Sequence, residues 1–192
     1  MLNLVLVHPQ IPANTGNVIR MCANSGTRLH LVEPLGFRFE SALLRRARLD
    51  YHEFAEVQIH ESWSACRSSL RPHRMFGFSA EGDQRHDQIE FSESDVVVFG
   101  CERSGFGPEL RDEFRSEGRL LRLPMMPGSR SLNLANAAAI VVYEAWRQQG
   151  FHGEAGPRQG ERTGSEGPAD QVTQSEFPNS LAEGLGDPPC DV

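Results

Sequence analysis

The chain has 192 residues, a formal charge of −7 from 19 basic and 26 acidic side chains, 39% hydrophobic residues and four cysteines. That content supports one globular core of ordinary size, and the lack of a leader-like start or a membrane-spanning apolar run leads us to expect a cytoplasmic protein with no membrane partner. Cys22, Cys66, Cys101 and Cys190 form no Cys-x-x-Cys pair and no histidine stands beside them at ligand spacing, so reduced thiols and no metal are expected.

In chain order, the apolar run Leu2–Val7 reads as a strand. The turn His8-Pro-Gln-Ile-Pro12 follows, and then Asn14-Thr-Gly-Asn-Val-Ile-Arg20 opens a helix near Gly16–Ser25. Asn14 or Thr15 is placed to cap that helix, and Arg20 falls about one turn in, where a guanidinium can hold a phosphate or a developing alkoxide. Strands are expected near Leu29–Val32 and Glu56–Ile59, with a helix near Ser41–Arg46 between them. Its end carries the one dense basic cluster, Arg45, Arg46 and Arg48. A helix near Ser62–Leu70 and a strand near Met75–Ser79 come next.

The segment Asp95-Val-Val-Val-Phe-Gly-Cys-Glu-Arg-Ser-Gly-Phe-Gly-Pro-Glu-Leu110 is a buried-type strand near Val96–Phe99, a glycine-rich turn and a helix near Pro108–Arg115. Gly100, Gly105 and Gly107 suggest close backbone approach, and Glu102 is a carboxylate at the strand's end. The turn has the outline of a dinucleotide-binding loop. Leu110, however, stands where the third glycine belongs, and the motif lies in mid-chain. No Gly-x-Ser-x-Gly elbow or phosphate-binding Walker loop occurs.

After a strand near Leu120–Leu123, Leu123-Pro-Met-Met-Pro-Gly-Ser-Arg-Ser-Leu-Asn-Leu-Ala-Asn136 runs through a stiff loop into an Ala-rich helix near Asn133–Gln149. Pro124 and Pro127 restrict the loop, Gly128 allows close backbone approach, and Ser131 and Asn133 can cap the helix. Alternating strands and helices argue for an α/β sheet with helices on both faces. From Phe151 the composition turns to Gly, Pro, Glu, Ser and Gln without a period, so we expect a domain over residues 1–152 and a disordered acidic tail over 153–192. The tail holds eight acidic residues and two arginines, leaving seventeen arginines against eighteen acidic residues in the domain. There is no lysine, so every basic side chain is a planar fork suited to phosphate.

The segments around Asn14–Arg20, Gly100–Gly107 and Leu123–Asn136 together resemble the SPOUT superfamily of knotted S-adenosylmethionine-dependent RNA methyltransferases, in its ribose 2′-O-methylating branch. Ile11–Arg20, Arg45–Phe54, Ser129–Asn136 and Val142–Arg147 are similar to the small bacterial enzymes of that branch that act on the tRNA wobble nucleotide, cytidine or modified uridine 34. The likeness covers about residues 1 to 152, with one departure, an extra residue after Gly105.

The resemblance implies an open, mostly parallel sheet flanked by helices with a C-terminal deep trefoil knot. It also implies S-adenosylmethionine as methyl donor, with Phe78, Gly100, Leu123, Met125, Ser131, Leu132 and Asn133 around it. Arg20 is implied at the reacting ribose, and Glu102 or Asn14 is expected to hold it there. Arg45, Arg46, Arg130 and Tyr143 are expected to contact the anticodon stem-loop of tRNA. A near-neutral domain offers little basic surface, which favours a homodimer. A ribosomal RNA target, or a non-catalytic donor- or RNA-binding protein on the same fold, stays open as an alternative.

Overall fold

The computed structural model describes residues 2–38 and 57–156. The chain divides into two units, Met1–Glu154 and Ala155–Val192. The helix expected near Ser41–Arg46, with Arg45 and Arg46, lies outside the described residues, as does the tail from residue 157 onward.

Seven strands, β1 (Asn3–Val7), β2 (Arg28–Val32), β3 (Val57–His60), β4 (Met75–Phe78), β5 (Gln84–Arg85), β6 (Val96–Phe99) and β7 (Leu120–Arg122), form one sheet in the order β3-β2-β1-β6-β4-β7-β5. Every pairing between them is parallel. The four described α-helices are α1 (Pro12–Ser25), α2 (Trp63–Ser69), α3 (Pro108–Ser116) and α4 (Leu134–Gln148). A parallel sheet needs helical crossovers that cover it, so β1, β4 and β6 are buried at every residue.

Side chains on a strand alternate between faces, and the residue types here sort accordingly. Leu4, Leu6, Leu29, Leu31, Val97 and Phe99 pack beneath α1 and α4 in one cluster. Val5, Val7, Val32, Val96, Val98 and Leu120 form the opposite cluster, with Cys66 of α2 and Phe114 of α3. Each such side chain contributes roughly 1.5–3 kcal/mol when fully buried. The buried residues of α4 are Leu134, Ala135, Ala138, Val141, Val142 and Ala145, a helical stripe whose alanines let α4 lie close against its neighbours.

Among the described residues, the strands and helices expected from sequence are present within one or two residues, with two exceptions. Strand β5 has only two residues, too few to show any alternation. Helix α1 starts earlier than expected, at Pro12, with Ile11 as an extended N-cap that makes no side-chain capping bond. Asn14 and Thr15 are therefore inside the helix rather than capping it. Proline explains the shift, because its fixed φ and missing N–H suit the first helical position. Arg20 consequently sits roughly two turns in, not one.

Candidate active site

Because every strand runs the same way, the C-terminal ends of β4, β6 and β7 lie along one edge of the sheet, and the loops leaving them converge there. They enclose a cavity of about 250 Å³. Phe78, Ser79 and Glu81 line it from the β4 side, Gly100, Cys101 and Glu102 from the β6 side, and Leu123, Met125, Ser131 and Leu132 from the segment after β7. Leu134 and Ala137 of α4 complete the wall. The Phe78 and Phe99 rings, both lining it, stack with centroids 5.0 Å apart and an interplanar angle of 17°. The lining is thus apolar at its aromatic part and polar at Glu81, Glu102 and Ser131, the mixture of a small-molecule site.

The β6 wall depends on two glycines. A Cβ at Gly100 would lie 2.3 Å from the carbonyl carbon of Gly105. The two segments are held that close by Cys101 N–H donating to Gly105 O at 3.1 Å and Gly105 N–H donating to Cys101 O at 2.8 Å. Gly105 turns the chain back with φ +63. The sequence suggests close approach at Gly107 and Gly128 as well, but a Cβ at either position would meet nothing within 4 Å. Gly107 instead precedes Pro108 as the N-cap of α3, and Gly128 serves a turn. Burial pushes the Cys101 thiol up, but hydrogen bonds from Ser104 and from the backbone of Ser104 and Arg103 outweigh it, leaving the thiol below its ordinary range.

One hydrogen-bonded chain joins this edge to both long helices. The Glu102 carboxylate accepts from Gln10 N–H at 2.8 Å, from Ile11 N–H at 3.1 Å and from Asn14 Nδ2 at 3.1 Å. It thereby supplies, from the end of β6, the cap that α1 lacks, and places negative charge at the helix's positive end. Asn14 Oδ1 in turn accepts from Asn133 Nδ2 at 2.9 Å. Asn133 Oδ1 caps α4 through Ala135 N–H at 2.9 Å and Asn136 N–H at 3.4 Å.

Of the residues singled out from sequence, Phe78, Gly100, Glu102, Leu123, Met125, Ser131 and Leu132 line the cavity. Asn14 and Asn133 do not line it but are tied to it through Glu102, and Asn133, not Ser131, caps α4. Arg20, Arg130 and Tyr143 are exposed, and Arg45 and Arg46 are outside the described residues. Sequence reasoning misses Ser79, Glu81 and Cys101, although each lies within three residues of a position it does find. It also misses a separate group. His30, His60 and Cys66 present ligand atoms within 4.8 Å of one another, which their spacing along the chain does not reveal.

Residues 1–143 match the SpoU rRNA Methylase family. The chain belongs to that family. A tRNA (cytidine(34)-2′-O)-methyltransferase from Methylovorus glucosotrophus is 57% identical over 153 residues, covering 80% of this chain and 99% of that protein. The protein of the same name from Escherichia coli K12 is 46% identical, covering 80% of this chain and 97% of its own. A solved structure concerned with the 2-OH methylation of C/U34 on tRNA is 42% identical, with a TM-score of 0.71, and covers 78% of this chain and 91% of the other. An AdoMet-bound rRNA methyltransferase from Sinorhizobium meliloti, 26% identical with a TM-score of 0.64, covers 76% of this chain and 56% of the other. This SpoU chain therefore spans almost the whole length of the curated relatives it matches.

Proposed function

We propose that this chain methylates the ribose 2′-hydroxyl of the wobble nucleotide of tRNA, cytidine or modified uridine 34, using S-adenosylmethionine. The observation that carries the reading is the cavity at the ends of β4, β6 and β7, hydrogen-bonded through Glu102 and Asn14 to the helix that bears Arg20. The identity to the tRNA methyltransferases supports the same substrate class.

The cavity suits the donor. Phe78, Leu123, Met125 and Leu132 offer apolar surface for an adenine, Ser131 offers a hydroxyl, and the Gly100–Gly105 approach leaves backbone rather than side chain at that wall. When bound, S-adenosylmethionine supplies an electrophilic methyl group. The protein's task is to bring a ribose hydroxyl in line with it, so positioning is most of the catalysis. Arg20 orients the ribose and stabilises negative charge as the hydroxyl loses its proton. A guanidinium stays protonated and so acts by charge and hydrogen bonding rather than as a base. Glu102 and Asn14 keep α1, and with it Arg20, at a set distance from the cavity. Arg45, Arg46, Arg130 and Tyr143 provide the tRNA contacts.

The assembly in this reading is a cytoplasmic homodimer, supported by the exposed apolar side chains Ile140, Tyr143 and Phe151 on and just after α4. The C-terminal trefoil knot belongs to the same reading. The domain boundary near residue 152 and the acidic tail complete it.

Single-turnover methyl transfer to a tRNA anticodon stem-loop tests the function. Arg20→Ala should slow transfer by roughly 10²–10³, with Arg20→Lys between it and wild type and donor binding nearly constant. Methyl groups mapped by mass spectrometry to ribosomal RNA instead of nucleotide 34, or unchanged rates in the Ala variant, would refute the reading.

A further inference from the structure

At the sheet edge away from the cavity, three side chains meet that the proposed reaction does not use. His30 on β2 points its Nδ1 at His60 Nε2 of β3, 3.0 Å away, and Cys66 Sγ of α2 lies within 4.8 Å of a ring nitrogen of each. His30 and Cys66 are buried and His60 is half-buried. We propose that His30, His60 and Cys66 form a zinc site of two imidazoles and one thiolate, which ties the edge strand β3 and helix α2 to β2.

The donor types are those that zinc prefers, with nitrogen ligands at about 2.0–2.1 Å and sulfur at about 2.3 Å. Tetrahedral angles at those lengths separate the donors by about 3.3–3.6 Å. The two nitrogens therefore need to part by only a few tenths of an ångström, while the rings tilt and the sulfur closes in. In the structure the rings are nearly coplanar, with centroids 5.3 Å apart and an interplanar angle of 25°, so the nitrogens face each other along one N–H···N hydrogen bond. The ion takes the place of that proton, which moves to His60 Nδ1 so that both rings bind as neutral imidazoles.

The surroundings prepare the ligands. His30 Nε2 lies 3.3 Å from Asn3 Oδ1, which assigns the ring proton to Nε2 and leaves the Nδ1 lone pair facing His60 Nε2. Metal-bound histidines are commonly oriented by such an outer carbonyl. The Cys66 thiol gives up its proton to solvent as the zinc–sulfur bond forms. The half-exposed side of His60 gives the ion an entry path and a place for water as fourth ligand.

The fold gives such a tie something to do. Strand β3 is a four-residue edge strand whose Gln58 and Ile59 are exposed, so apolar burial secures it weakly. A metal bridging β2, β3 and α2 holds it by direct bonds.

The test uses the full chain, stripped with a chelator and titrated with cobalt(II), whose d–d and thiolate charge-transfer bands report tetrahedral binding with a sulfur ligand. One equivalent per chain should produce both, and zinc should displace it and raise the melting temperature. Cys66→Ser should abolish the thiolate band, and His60→Ala, at a half-buried position on the edge strand, should remove stoichiometric binding. Asn3→Ala should keep the band and weaken affinity about 10–100-fold. Cys190→Ser should change nothing. A wild-type chain without the band, a Cys66→Ser or His60→Ala variant that binds as wild type, or loss of the band in Cys190→Ser would overturn the site. None of these readouts depends on methyl transfer.

Discussion

Replacing Glu102 by alanine tests whether the bond network at the cavity edge holds the molecule's working geometry. The change removes three hydrogen bonds, to Gln10 N–H, Ile11 N–H and Asn14 Nδ2, at the start of a helix with no side-chain cap of its own. Loss of an N-cap typically costs about 1 kcal/mol, and a bond to a charged acceptor contributes about 1.5–3 kcal/mol. Glu102 is half-buried and the Gln10 and Ile11 bonds are exposed, so water recovers part of the loss, leaving about 2 kcal/mol. For a domain of this size that lowers the melting temperature by about 4–8 °C. Glu102→Gln keeps one acceptor oxygen and should lose about half as much. Circular-dichroism melts measure the first effect, and methyl transfer well below the melting point measures the second. Transfer should fall further than the folded fraction does, because α1 carries Arg20. An Ala variant that melts with wild type and transfers at the wild-type rate would show that the network anchors nothing.

Gly100→Ala should cost about 1–3 kcal/mol, because the new methyl meets backbone of Gly105 that cannot yield, and it should weaken S-adenosylmethionine binding in calorimetry. Unchanged donor affinity would remove this wall from the site. Glu144 is held at about 2 by hydrogen bonds from Arg147 and then Gln148, against 4.5 for an ordinary glutamate. A lowered carboxylate contributes stability that is complete above pH 4.5 and is lost as pH falls toward 2, so Glu144→Gln should flatten that part of the acid unfolding curve. Equal acid sensitivity in both proteins would contradict this. The tail should be dispensable for stability when removed after Gly156. A cut at Phe151 should be harmful, because Phe151 packs edge-on against Trp146 and Trp146 Nε1–H donates to His152 O at 3.0 Å. Differential scanning calorimetry of the two truncations separates these cases.

Much of the cavity was legible because its parts are local signals. A buried strand followed by glycine, as at Val96–Gly100, and a proline-stiffened loop entering an alanine-rich helix, as at Leu123–Asn136, each announce a strand end with a ligand-ready turn. Position within α1 was less legible. Asn14 and Thr15 looked like caps because such residues usually do cap, but the carboxylate that does the work comes from Glu102, 88 residues from Asn14.

The sequence alone determined the apolar strand runs, the alanine-rich helix entered from the proline-stiffened loop and the α/β class, since each depends on a pattern within a few residues. It also carried the family likeness that the match over residues 1–143 bears out. Only the tertiary structure decided the strand order, and with it which distant side chains meet. Placing β6 beside β1 is what lets Glu102 reach Gln10, Ile11 and Asn14. Placing β3 beside β2, with α2 against them, is what assembles His30, His60 and Cys66. Contacts across 30 to 90 residues follow from how sheet edges and crossovers pack, and no local pattern of residues encodes that choice.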